Sequence, residues 1–107
     1  MNKFEKMLGA NEALQRRTTA LSQTAEIAQQ NVVNKLKARK AELELEIFNL
    51  TDLAPESSDS LRPGSKNWNA EQWAKTLQDK KQDLYTLNIQ IKLAEDTLKE
   101  YFTEIDD

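Results

Sequence analysis

Apolar residues in the C-terminal half return every seven positions: Ala70, Leu77, Leu84, Ile91, Leu98 and Ile105. A second set stands three positions after them: Trp73, Lys80, Leu87, Ala94 and Tyr101. Alternating steps of three and four keep one stripe of a helix buried, and Lys80 is the polar intruder in it. A strand alternates with period two and cannot carry this spacing. The pattern predicts a helix over residues 70–105, about 54 Å long at about 1.5 Å per residue.

The N-terminal half is read the same way. Leu14, Thr18, Leu21, Ala25, Ala28, Val32, Leu36, Lys40, Leu43, Ile47 and Leu50 form its stripe. Consecutive steps of four between Ala28 and Lys40 break the heptad, and the eleven residues from Ala25 to Leu36 read as a stutter that locally unwinds a supercoil. Gly9 ends a short leading segment, and Asn11 is the expected N-cap of a long helix over 11–51.

Residues 52–68 lie between the two helices, in a stretch holding Pro55, a serine cluster and Pro63-Gly64. These are loop signals, and Pro63-Gly64 suits the centre of a type II turn. The expected fold is therefore all-α: one domain, an antiparallel two-helix coiled-coil hairpin with a short N-terminal helical segment and a long loop. With Thr51 near Ala70, facing residues have numbers summing to about 121, so Lys40 falls level with Lys80 and Lys81. Arg16 and Arg17 then fall level with Glu104.

The tryptophans follow from this plan. In NWNAEQW, residues 67–73, Asn69 is placed as N-cap with Gln72 at N3, the positions of a capping box. Trp68 and Trp73 fall at N′ and N4, the hydrophobic staple, with Leu50, Leu53 and Leu61 available to pack around the rings. A ligand-gripping pair needs exposed ring faces and convergent polar groups instead. A hairpin of this length with tryptophan at its turn resembles the small secreted WXG-type proteins in architecture. Here the corresponding stretch is Trp68-Asn69-Ala70, without the glycine and two thirds along the chain, so no function is carried over.

Composition narrows the chemistry. The 107 residues hold no cysteine and no histidine, which excludes disulfides and any zinc or catalytic role for those side chains. No cofactor or metal is implied. Asp79 and Asp83 share a helix face, but Lys75, Lys80 and Lys81 surround them, as on a solvated salt-bridged surface. Ser57, Ser58, Ser60 and Ser65 accompany Lys66 in the loop, where a Ser–Lys nucleophile has neither a buried lysine nor an oxyanion site. No catalytic residue is nominated, and a non-enzyme is expected.

Net charge is −3, with eight basic and six acidic residues in 1–51 against five and nine in 67–107. That balance does not favour nucleic acid or an anionic membrane. The basic run Lys35, Lys37, Arg39 and Lys40 spreads around the helix, and Glu42, Glu44 and Glu46 follow it. No signal-peptide core or membrane-length apolar run is present, so a cytoplasmic location, or one within an assembled particle, is expected.

The residues left over are apolar and off the seam: Ala41, Leu45 and Phe48 in the first helix, Tyr85, Ile89 and Leu93 in the second. Helices apolar on two sides are usually buried between neighbours. Phe4, Met7 and Leu8 line one side of the leading segment. These eight residues other than Ala41 are the candidate partner contacts, and the partner is protein: another copy or a larger multi-protein assembly. A seam containing threonine, alanine and lysine is a weak core, and association supplies missing burial. The expected function is a helical-hairpin assembly component, as in a phage particle or a similar structure. The alternative is an acidic inhibitor that covers a basic surface with Asp79, Asp83, Glu95, Asp96, Glu100 and Glu104.

Overall fold

The computed structural model describes residues 2–8 and 12–103, with the side chains of all but Leu8 and residues 12–19. The described residues form three helices: α1 (Lys3–Leu8), α2 (Glu12–Thr51) and α3 (Ala70–Phe102). The two long helices pack against each other and α1 is short, the hairpin that the two periodic stripes predict. The proposed cap Asn11, the break at Gly9, and Glu104 and Ile105 lie outside the described residues, as do the side chains of Leu14, Arg16, Arg17 and Thr18. Ala70 opens α3 but is exposed rather than in the seam.

The chain divides into two compact units, residues 1–36 with 90–107, and residues 37–89. In the second unit, Leu43, Leu50 and Leu87 are buried, with Ile47, Leu77 and Leu84 half-buried around them. This is the expected seam. Its polar positions are held by carboxylates: Lys80 donates to Glu46 at 2.9 Å, and Lys40 lies 3.9 Å from Glu44. At the end of the seam the indole of Trp73 reaches the carbonyl of Leu50.

In the first unit the α2 stripe is also shifted. The buried residues are Ser22 and Val33, with Ala25, Gln29 and Leu36 half-buried. Leu21, Ala28 and Val32, which the apolar reading placed inside, are exposed. Ser22, Gln29 and Leu36 keep a seven-residue step, while Ala25 and Val33 stand eight apart, so the break in the heptad lies between those two. Polar side chains hold these places because each finds a partner. The Gln29 amide donates to the backbone carbonyl of Ala94 at 3.0 Å, and the Ser22 hydroxyl accepts from Asn2 at 3.2 Å. A buried polar group that is hydrogen-bonded avoids most of its desolvation cost.

Asn2 has a role the sequence reading missed. Its side-chain oxygen accepts the backbone N–H of Glu5 at 2.9 Å, which makes it the N-cap of α1, and its amide fixes that cap to Ser22. Lys3 pairs with Glu100 and stands over the ring of Tyr101, 4.9 Å from its centroid. Phe4 and Phe102 pack with centroids 5.3 Å apart. Phe4, expected at a partner contact, is thus half-buried and engaged within the chain.

Candidate interaction surface

The site begins where α2 ends. A helix leaves its last carbonyls without intrahelical donors. Here Phe48 accepts from the Asp52 backbone and the Thr51 hydroxyl, both at 3.0 Å, and Leu50 accepts the Trp73 indole N–H at 2.6 Å. Trp68 meets Trp73 edge to face, with centroids 5.4 Å apart and planes at 70°. Asn69 caps α3, accepting from the Gln72 backbone at 3.1 Å. The staple and cap are as expected. The reciprocal half of the capping box is not, because the Asn69 backbone N–H donates to Ser60 in the loop at 2.8 Å.

The loop folds onto itself as a compact Ω-like segment. Ala54 donates to Pro63, and Lys66 to Ser57, at 2.9 and 3.1 Å. Ser65 donates its backbone N–H to Arg62 across Pro63-Gly64, and Gly64 has φ of 81°, the value that the third position of a type II turn requires. The hydroxyl of Ser65 donates to the Asp59 carbonyl at 2.5 Å, and that of Ser57 accepts from the Asp59 backbone at 3.1 Å. These serines serve the turn. Leu53, expected against the tryptophans, is exposed; Leu50 is buried and Leu61 half-buried.

Trp68 remains 40 % exposed and Trp73 half-buried; beside them the apolar residues off the seam stand out. Leu45 and Phe48 are 60 % and 61 % exposed on the face of α2 opposite its buried stripe. On α3, Tyr85 and Ile89 are exposed within the second unit, and Leu93 within the first. Met7 is exposed, and the side chain of Leu8 lies outside the described residues. Leu53, Leu21, Ile27 and Val32 join the exposed set. The signal for Leu21 and Val32 was present but was spent on the seam. Tyr85 also forms one end of an open groove of about 440 Å³ along α3, walled by Trp73, Leu77 and Lys81.

Charged groups flank these faces. Glu46 takes Lys80 at 2.9 Å and Arg39 at 3.7 Å; Arg39 also meets Glu42 at 3.1 Å. The Lys80 hydrogen bond holds the Glu46 carboxyl below its ordinary value, partial desolvation opposes this, and Arg39 adds to it. The Glu100 hydrogen bond raises the Lys3 ammonium in the same way. Glu100 is therefore committed to an ion pair. Among the described residues, no group of three or more acidic, histidine or cysteine side chains is placed to hold a metal ion, and no helix is long and apolar enough to cross a membrane.

No family model, curated protein or solved structure matches the chain. Function is therefore argued from these surfaces alone.

Proposed function

We propose that this chain is a structural component that works by packing its helices against other helices, in an assembly with copies of itself or with other proteins. The observation that carries the reading is the second apolar face of α2: Leu45 and Phe48 stand in solvent on a helix whose opposite face already has a seam. Exposed apolar side chains arranged at helical spacing are what a neighbouring helix covers. Two features support a role without chemistry. The polar side chains of the loop serve turns and caps, and the tryptophans close the helix ends.

The test is association as a function of sequence and salt. Leu45→Glu or Ile89→Glu abolishes association with little salt dependence if apolar packing drives it. If those variants associate as the parent does, and binding to a partner weakens steeply with salt, the acidic surface is the active one and the proposal fails.

A further inference from the structure

The first unit, residues 1–36 with 90–107, has a weak seam. On its α2 side the inward places belong to Ser22, Ala25, Gln29, Val33 and Leu36, and only the last two are branched apolar side chains. The second unit sets Leu43, Ile47 and Leu50 in the corresponding places. Buried apolar area is what holds two helices together, so contact between α2 and α3 stabilises the first unit less than the second.

The short helix α1 docks on this weaker unit. Its six residues are too few for a helix to persist alone, so it is helical because it is docked. It touches both long helices. Asn2 donates its amide to Ser22 of α2, and both residues are buried. Phe4 packs on Phe102 of α3, and Lys3 pairs with Glu100 and stands over Tyr101. The exposed ion pair adds little. The buried amide and hydroxyl fix the seat, because sliding α1 along it leaves each of them without a partner. The few contacts of α1 are set against the entropy of ordering its residues, so docking is close to balance.

We propose that α1 is a clasp: by holding Ser22 of α2 and residues 100–102 of α3 at once, it keeps the helices of the first unit closed, and its release opens that unit while residues 37–89 stay paired. Opening uncovers Val33, Ile91 and Ala94, which are buried in the closed form. The clasp acts in the first unit and the assembly reading rests on the outer face of α2 in the second, so each stands or falls without the other.

Amide hydrogen exchange, read residue by residue on the full chain, tests the clasp. The variants are Asn2→Ala, Phe4→Ala and, as a control at an exposed side chain, Met7→Ala. Asn2→Ala and Phe4→Ala raise exchange about tenfold in α1 and also in residues 20–33 and 91–102, and leave residues 43–50 and 77–87 as in the parent. Met7→Ala changes neither set. Ser22→Ala removes the same hydrogen bond from the α2 side and reproduces the Asn2→Ala pattern, and the double variant adds little to either single one. Faster exchange confined to residues 2–8 makes α1 a passive appendage and overturns the proposal. An equal rise in both units, or additive effects of Asn2→Ala and Ser22→Ala, overturns it too.

Discussion

The indole N–H of Trp73 is 2.6 Å from the carbonyl oxygen of Leu50. One side chain at the start of α3 thereby satisfies a backbone acceptor at the end of α2, and this bond fixes where the two helices meet beside the loop. Trp73→Phe keeps most of the ring and removes the donor. It lowers stability by about 1–2 kcal/mol, read from the midpoint of urea unfolding. An unchanged midpoint shows that the contact is incidental.

The burial pattern of α2 gives a test between neighbours. Val33 is 1 % exposed and Val32 is 45 % exposed. Val33→Ala costs about 1–2 kcal/mol through lost burial, while Val32→Ala stays within about 0.5 kcal/mol. The reverse order restores the stuttered stripe that an apolar-only reading favours.

That contrast shows what was legible in the chain. The whole α3 seam from Trp73 to Tyr101 could be read because apolar residues occupy nearly all of it and Lys80 is a single gap. The α2 seam could be read from Leu36 to Leu50 for the same reason. Upstream of Leu36 the buried places belong to Gln29 and Ser22, whose partners, the Ala94 carbonyl and Asn2, are far away in sequence. Hydrophobicity then pointed one residue aside, to Val32, Ala28 and Leu21. The contact of Phe4 with Phe102 was not legible either, since the two are almost the whole chain apart. The exposed pair Leu45 and Phe48 was legible because the stripe opposite them was already correctly placed.

Gly64 stands at φ 81°, where a side chain costs about 1–2 kcal/mol of backbone strain. An added Cβ meets Leu53 at 3.7 Å, an ordinary contact, so the cost is conformational rather than steric. Gly64→Ala therefore lowers the thermal midpoint, and Gly64→Asn lowers it less, because asparagine tolerates this region. Equal loss in the two variants argues for a steric origin.

The Glu46 carboxyl is held below its ordinary value of 4.5, first by the Lys80 hydrogen bond. A group with a depressed folded-state pKa adds stability that is present above the unfolded value and is lost as pH falls through the folded one. The stability advantage of the parent chain over Glu46→Gln is therefore full at neutral pH and shrinks in the acid range below 4.5. Lys3, raised above 10.5 by Glu100, behaves oppositely: its contribution is full below 10.5 and declines in stronger alkali. Urea midpoints of the parent, Glu46→Gln and Lys3→Met across pH check both signs. A pH-independent difference for either variant contradicts its assignment.

Light scattering on a sizing column across a dilution series, with circular dichroism on the same samples, tests the central claim most directly. The account predicts a discrete oligomer that loses helicity as it dissociates, and a Leu45→Glu variant that is dissociated at every concentration. A stable, fully helical monomer at all concentrations, indifferent to Leu45→Glu, contradicts self-assembly through the outer face of α2.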